Sequence, residues 1–268
     1  MLKRFFVALI VGLFVLSSQI AAAEDYDWSQ APRIGTKAEL ARYVENERHK
    51  GNTTFTIILT NSLVIYNQSE LQKLCDSVSN LVIANIQLES YGLGSGRVLF
   101  KITKEYPGTH VANAYLNGDK SKLTNEELDL YDIAVGIVAE ANKRQSEIEK
   151  ARYIHDEICR RVKGYKVEND RNKTAIGALI DGYAHCQGFA DAFYMLGRMC
   201  GLDVVRIGGT FQGESHAWNF ITFSDGKTYC VDVTGTFNSK SSMELLTFET
   251  MKPRYSCEWE IIPNLQRN

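Results

Sequence analysis

Apolar positions along the first half of the chain alternate between helical and strand spacing. These spacings predict helices over 37–50 and 69–78 and strands over 55–59, 81–88 and 98–103. Glycines between the last two apolar runs predict a loop. The sequence contains no internal repeat and no glycine-rich loop placed before a helix, as a phosphate site would require. Residues 24–122 are therefore predicted to form a small α+β module without visible chemistry.

The middle of the chain carries two helix-start signals. Thr124 stands three residues before Glu127, and Ser146 stands three residues before Glu149, which is the spacing of a capping box. Apolar residues recur at helical spacing after each box. We therefore predict helices over 124–141 and 146–162.

The last third of the chain predicts a helix followed by a hairpin. Phe189, Phe193 and Leu196 form a helical stripe, and Gly201 follows at the position of a left-handed C-terminal cap. This pattern places Cys186 at the start of the helix. The apolar runs that follow predict strands over 204–207, 216–223 and 228–234.

The N-terminal segment has a different pattern. Lys3 and Arg4 precede an almost unbroken apolar run over 5–16, and 21–23 are three alanines that resemble a cleavage site. We predict a secretory signal peptide over 1–23, because the run is short for a membrane span of about 20 residues. An uncleaved membrane anchor is the alternative. Cleavage would give a secreted or cell-envelope (periplasmic) protein without stable membrane insertion.

Composition and charge narrow the classes of function. The chain has 268 residues, of which 44% are hydrophobic and 23% charged, and this excludes a disordered or low-complexity protein. Its 30 basic and 32 acidic residues give a net charge of −2, so we expect no nucleic-acid partner. Six cysteines in an exported chain are compatible with disulfides, but the sequence leaves their pairing open.

Cys186, His216 and Asp232 form a candidate set of nucleophile, base and orienting group. The unpaired N–H groups and positive dipole end of a helix start favour a thiolate at Cys186, and they could stabilise an oxyanion. A thiolate needs a base, and the base needs a group that orients it. His216 and Asp232 lie on successive predicted hairpin strands, where such a pair can meet.

Three motifs in this region together resemble the transglutaminase-like superfamily. They are Cys186-Gln187-Gly188-Phe189-Ala190, His216-Ala217-Trp218-Asn219 and Val231-Asp232-Val233-Thr234. The similarity covers roughly residues 145–237, and it is greater to exported bacterial members than to the large calcium-dependent animal enzymes.

This resemblance implies an α+β, papain-like or transglutaminase-like core. In that core, a helix bearing the cysteine packs on an antiparallel sheet bearing the histidine and the aspartate. The implied catalytic triad has Cys186 as nucleophile, His216 as base and Asp232 as its orienting group. His185 departs from the pattern, since many relatives have an apolar residue before the nucleophile.

Two further residues are candidates for shaping the site. Trp218 is expected to share the strand face of His216 and to wall the site, although plain core packing is an equal alternative. The Gln187 side chain is a candidate oxyanion donor, but the backbone N–H of Cys186 is the better one.

The remaining histidines are assigned other roles. His155 lies on an apolar helix face, as a core histidine does, and His49 and His110 are predicted to be surface residues. His185 competes with His216, but adjacent residues are expected to point apart. No spacing of His, Cys, Asp and Glu matches a zinc site and no loop resembles an EF-hand, so we expect no metal and no cofactor.

The turn at Asp225-Gly226 decides whether His216 and Asp232 share a face of the sheet. A two-residue loop would put the two side chains on opposite faces. A three-residue loop puts Asp232 opposite Trp218, on the face of His216. Gly226 suits the left-handed position of a type I turn with a bulge, so we predict a three-residue loop or an equivalent bulge.

These observations predict an exported, cysteine-dependent acyl-transfer enzyme that acts on amide bonds of proteins or peptides through a thioester. Hydrolysis by a peptidase or amidase is slightly favoured over amine transfer, because water is the abundant acceptor. The alternatives are a protein-glutamine gamma-glutamyltransferase-type crosslinker and a non-catalytic cell-surface module that binds peptides. The expected partner is a protein or peptide substrate, with cell-envelope proteins among the candidates. The predicted units are a signal peptide over 1–23, an accessory module over 24–122 and a catalytic domain over 123–268.

Overall fold

The structure is a computed structural model that describes residues 26–82, 84–166, 169–259, 262 and 265. The predicted signal peptide over 1–23 lies outside these described residues. Within them, no helix combines the length and the apolar character needed to cross a membrane.

The first part of the chain forms a four-stranded sheet with two helices. Its strands are β1 (Arg33–Ile34), β2 (Thr54–Leu59), β3 (Asn85–Ser90) and β4 (Arg97–Lys104), in the order β1-β2-β4-β3. Its helices are α1 (Lys37–His49) and α2 (Gln68–Val82). Burial alternates along β2, where Phe55, Ile57 and Leu59 are buried, as expected for a sheet with one face on a core.

Three helices follow, and two of them begin as predicted. They are α3 (Pro107–Asn117), α4 (Asn125–Ala141) and α5 (Glu147–Arg161). Before α4, the Thr124 hydroxyl accepts from the backbone N–H of Glu127, whose carboxylate accepts from the backbone N–H of Thr124. Ser146 and Glu149 make the same exchange before α5, so both predicted capping boxes are confirmed.

The last part of the chain contains a buried helix and a second four-stranded sheet. A short parallel pair, β5 (Gly164–Tyr165) and β6 (Tyr183–Ala184), precedes helix α6 (Cys186–Met199). The remaining elements are β7 (Asp203–Phe211), β8 (Glu214–Thr222), β9 (Thr228–Val231), α7 (Val233–Ser239), α8 (Phe248–Met251) and β10 (Tyr255–Ser256). The second sheet has the order β10-β7-β8-β9, and all its pairs are antiparallel.

Helix α6 is the central element of the molecule. Every residue of α6 except Gln187 is buried, because β7 and β8 pack on one side of it and α3 and α5 on another. The helix ends at Met199, and Gly201 two residues later has a φ of 77°, the left-handed conformation predicted for it. The structure therefore has the predicted α+β fold, with a cysteine-bearing helix on an antiparallel sheet.

A buried ion pair ties α6 to the elements around it. The carboxylate of Asp191 on α6 binds the guanidinium of Arg206 on β7, and both side chains are almost fully buried. Asp191 also accepts from the backbone N–H groups of Gly108 and Ala175. One carboxylate on α6 thus fixes α3, β7 and the helical turn at Ala175 relative to each other.

Both sheets contribute to one apolar core. Leu40 and Val44 of α1 and Leu74 of α2 belong to the same cluster as Trp218 and Phe220 of the second sheet. Helix α2 contacts β3 on one side and β7 on the other. The first sheet and its helices thus cover the face of the second sheet that α6 leaves open.

Two predicted strands have a wrong boundary, and one helix was not predicted. The strand predicted over 81–88 begins only at Asn85, because α2 continues to Val82 and keeps the helical spacing of its apolar residues. Helix α3 was not expected, although Pro107 at its first turn and Gly118 in the left-handed region after it are the usual end signals. The strand predicted over 228–234 ends at Val231, because Asp232 caps α7 by accepting from the N–H of Gly235.

Candidate active site

Cys186 is the first residue of α6 and its side chain is 3% exposed. The N-cap residue, His185, makes no side-chain capping bond, and its carbonyl oxygen accepts from the N–H of Gly188 at 2.9 Å. The N–H groups of Cys186 and Gln187 are therefore left for another acceptor. Gly188 allows this approach of the chain, since a Cβ there would lie 2.3 Å from the carbonyl oxygen of Asn172. The predicted position of the cysteine at the helix start is confirmed.

His216 and Asp232 meet beside this helix start. His216 is on β8, and its Nε2 lies 2.9 Å from Oδ2 of Asp232. Asp232 is 5% exposed, and its Oδ2 also accepts from the hydroxyl of Tyr255 at 2.8 Å. Because Nε2 of His216 is engaged with a carboxylate, Nδ1 is the ring nitrogen left for the thiol.

The register of the hairpin explains why these two side chains meet. Phe220 pairs with Cys230 and Thr222 with Thr228, and Phe223 donates its N–H to the carbonyl oxygen of Lys227. This is the predicted three-residue loop, and Gly226 takes the left-handed position with a φ of 79°. The pairing stops before Asp232, so this residue reaches His216 from the start of α7 rather than from a strand.

The charges of the three groups depend on each other. Burial opposes ionisation of Cys186, but its contacts with His185 and His216 outweigh burial and lower the pKa of the thiol to about 6. Burial also opposes protonation of His216, but Asp232 and Cys186 raise its pKa to about 9. Burial would raise the pKa of Asp232, yet His216, the Gly235 N–H and the Tyr255 hydroxyl hold it below its usual value. Between a pH of about 6 and a pH of about 9, Cys186 is therefore a thiolate and His216 an imidazolium.

His185 does not point away from the cysteine, as the sequence led us to expect. Its Nδ1 lies 3.3 Å from Sγ of Cys186 and its Nε2 lies 4.0 Å away. The reason is the extended backbone of the cap residue, with a φ of −92° and a ψ of 170°, which lets its side chain lie beside the first helical residue. The thiol is therefore in contact with two imidazoles.

A second cysteine–histidine contact shows that proximity alone does not activate a thiol. Sγ of Cys159 lies 3.8 Å from Nε2 of His155, yet burial raises the pKa of Cys159 to about 12. Both nitrogens of His155 are already occupied, by Asp156 and Thr236, and burial lowers the pKa of this ring. His155 is thus the satisfied core histidine that the sequence predicted.

The other two histidines differ from each other. His110 is exposed as predicted, and its Nδ1 lies 2.7 Å from Oε1 of Glu127. His49 was predicted to be a surface residue, but it is half-buried because α1 packs against the second sheet. Burial and the nearby Arg198 lower the pKa of His49 to about 4.

Cys186 and His216 line an open cleft of about 510 Å³ between the two parts of the chain. Gln187 and Lys173 line this cleft and also the adjoining cavity. Ser79 of α2 reaches the cleft as well, so the first part of the chain contributes to its wall.

Trp218 packs beneath the site rather than lining the cleft. Its ring is 1% exposed and stacks on the His216 ring at 5.9 Å between centroids. Trp218 belongs to the core cluster that both sheets share. Trp218 is therefore a core residue that also supports the His216 ring.

Tyr255 is the site residue that sequence reasoning missed. It lies on β10, far along the chain from the three motifs, and no spacing links it to Asp232. Its ring packs edge-on against Trp218 at 5.3 Å, so its position depends on the assembled sheet.

The described residues hold no group of three or more His, Cys, Asp or Glu side chains arranged for a metal ion. All six cysteines have free thiols. The disulfides that the sequence left open are thus not formed among them, and Cys186 is available as a thiol.

Comparison with known proteins finds a family match for the region that contains Cys186, His216 and Asp232. Residues 132–233 match the family described as the transglutaminase-like superfamily. This stretch is a transglutaminase-like domain. It begins earlier than the resemblance noted in the sequence, since it includes most of α4, and it contains Cys186, His216 and Asp232. The family assignment made from the three motifs is confirmed.

Solved structures similar to this chain share little of its sequence. The crystal structure of a TGase is 16% identical, with a TM-score of 0.38 over 76% of this chain and 59% of its own length. The periplasmic domain of TgpA from Pseudomonas aeruginosa is 11% identical, with a TM-score of 0.36 over 58% of this chain and 64% of its own. The chain thus spans less than two thirds of each structure. A comparison with curated proteins finds no match.

Proposed function

We propose that this protein is an exported, cysteine-dependent acyl-transfer enzyme that acts on amide bonds of proteins or peptides. Cys186 is the nucleophile, His216 the base and Asp232 the group that orients the base. The observation that carries this proposal is the connected series of contacts from the thiol through His216 to Asp232 at a helix start. Export is supported by the sequence pattern of residues 1–23.

The first half of the reaction would form a thioester. The Cys186 thiolate attacks the amide carbonyl carbon, and the resulting oxyanion lies near the free N–H groups at the start of α6. The C–N bond then breaks as the imidazolium of His216 gives its proton to the leaving amine or ammonia. Asp232 keeps its negative charge throughout and holds the ring in the required orientation.

The second half of the reaction would return the enzyme to its starting state. Neutral His216 takes a proton from water, and the oxygen of that water attacks the thioester carbonyl carbon. The C–S bond then breaks, which restores the Cys186 thiolate and leaves His216 as the imidazolium. A lysine amine in place of water would give a crosslink by the same proton transfers. We favour hydrolysis, because water is the abundant acceptor.

Two assays on one substrate separate the possible reactions. The purified protein is incubated with dimethylated casein, with and without a fluorescent primary amine. New N-termini or released ammonia report hydrolysis, and fluorescence bound to casein reports amine transfer. We expect hydrolysis to exceed amine transfer, and we expect Cys186→Ala and His216→Ala to lose both.

Cys159→Ala is the matched control, because this cysteine also contacts a histidine but has a raised pKa. It should retain both activities. Full activity of Cys186→Ala would refute the mechanism. A peptide-binding module would instead be indicated if casein bound the wild-type protein without any covalent or hydrolytic product.

A further inference from the structure

The His185 side chain is held in place beside the thiol from two directions. Its backbone N–H donates to the carbonyl oxygen of Asn172 at 2.7 Å. Its ring lies against the ring of Tyr165, with 5.6 Å between the centroids and 34° between the planes. The ring also lines the catalytic cleft together with His216 and Gln187. This imidazole is therefore fixed at the site without being buried in it.

The two nitrogens of His185 are not equivalent with respect to the sulfur. Nδ1 lies 3.3 Å from Sγ of Cys186, which is within hydrogen-bonding distance for sulfur, whereas Nε2 lies at the limit of 4.0 Å. A thiolate has no proton to give, so a contact with it is favourable only if the nitrogen carries the hydrogen.

We infer that His185 is a further catalytic residue, whose Nδ1–H donates to the Cys186 sulfur and stabilises it as a thiolate. This inference rests on the proposed role of Cys186 as nucleophile. In this inference, His185 and His216 both contact the Cys186 sulfur and have different roles. His216, engaged with Asp232, moves the proton, and His185 holds the charge.

The contact from His185 is most important when the thioester breaks down. At that stage His216 has taken a proton from water, and the sulfur leaves the carbonyl carbon as a thiolate when the C–S bond breaks. An N–H donor that keeps its own proton makes the sulfur a better leaving group at that moment. The same donor lowers the proton affinity of the resting thiol, which burial of Cys186 would otherwise raise.

Other groups also face the thiol and must be separated from His185 in a test. His216 contacts it from β8, with Asp232 behind it, and the Tyr165 hydroxyl approaches from β5. Lys173 lines the same cleft, but it is paired with Asp170 at 2.8 Å. A substitution at position 185 changes none of these residues, and every variant at this position alike removes the ring against which Tyr165 packs.

Two amide side chains distinguish the nitrogens of His185. The amide nitrogen of Asn can occupy the place of Nδ1, and that of Gln lies one carbon further out, near the place of Nε2. We measure the rate of alkylation of Cys186 by iodoacetamide from pH 4 to pH 10, resolved by mass spectrometry of its peptide. His185→Gln should raise the apparent pKa by about one unit, which reduces the rate at pH 5 about tenfold and leaves the rate above pH 9 unreduced. His185→Asn should stay within about threefold of the wild type at pH 5.

His110→Gln serves as the control for an exposed histidine, and it should not change the profile. His185→Ala removes the side-chain donor altogether, and it should shift the profile in the same direction as His185→Gln does. A His185→Gln profile that coincides with the wild type overturns the inference, and so does an equal shift in His185→Asn. A wild-type Cys186 without a low apparent pKa would overturn the proposed nucleophile itself, so the two failures are distinguishable.

Discussion

At the scale of single residues, the site depends on which groups surround each cysteine–histidine pair. Cys186 and Cys159 both contact an imidazole, but only Cys186 lies at a helix start beside a histidine that a carboxylate holds protonated. The pKa of the first thiol is lowered to about 6, and that of the second is raised to about 12. The acidity of each thiol is thus set by the other groups around the cysteine–histidine pair.

The pH dependence of the proposed reaction follows from these values. Acylation needs the thiolate of Cys186 together with the imidazolium of His216. We expect kcat/KM to rise as the pH passes about 6, where the thiol ionises, and to fall above about 9, where His216 loses its proton. The profile is measured with casein from pH 4 to pH 10. An activity that continues to rise above pH 9 would exclude His216 as the acid.

A substitution of Tyr255 tests the hydrogen bond that holds Asp232 beside His216. Tyr255→Phe keeps the ring packed on Trp218 but removes the hydroxyl that donates to Asp232. We expect kcat/KM to fall about tenfold, the loss typical of one hydrogen bond to a charged group. The Asp232 carboxylate becomes more basic, so the upper limb of the pH profile should move to higher pH. Unchanged activity, or an upper limb that moves to lower pH, would contradict this role.

At the scale of elements, the features that could be predicted from the sequence are those determined by neighbouring residues in the chain. The two capping boxes, the start of α6 and the three-residue loop at Gly226 each follow from residues within one turn of the feature. The contact of Tyr255 with Asp232 has no such signal, because it exists only after β10 has joined the sheet. The side-chain direction of His185 likewise depends on the extended backbone of the cap residue, which the sequence does not reveal.

Gly188 offers a test of how the start of α6 is packed. A Cβ at Gly188 would lie 2.3 Å from the carbonyl oxygen of Asn172, which is backbone and cannot move cheaply. We expect Gly188→Ala to reduce the free energy of unfolding by about 1–3 kcal/mol, as overpacking does, and to displace Cys186 enough to lower activity. Urea unfolding and the casein assay measure the two effects.

The matched control is Gly136→Ala on α4. A Cβ at Gly136 would meet no atom within 4 Å, and alanine is the better helix former. We expect the free energy of unfolding to increase by about 0.5–1 kcal/mol, with activity unchanged. The packing argument fails if the two substitutions have the same effect on stability.

At the scale of the whole molecule, the first part of the chain shares its apolar core with the part that carries the candidate site. The second sheet has two faces, and α6 covers only one of them. Ile207, Trp218 and Phe220 on the other face are buried in the same cluster as residues of α1, α2 and β2. The Trp218 ring in turn stacks on the His216 ring, so the apolar core of the first part lies directly behind the proposed base.

We therefore expect the two parts to unfold together. Ile57 on β2 is fully buried in the shared cluster, and Ile57→Ala should reduce the free energy of unfolding by about 2–5 kcal/mol. If the core is shared, hydrogen exchange in increasing urea should show β2, β4, β8 and α6 losing protection at one midpoint, which Ile57→Ala lowers equally for all four. Ile148→Ala on α5 is the control, because this side chain is 39% exposed and should leave the midpoint unchanged. A lower midpoint for β2 and β4 alone, with β8 and α6 still protected, would show that the first part is an independent module whose loss leaves the support of His216 intact.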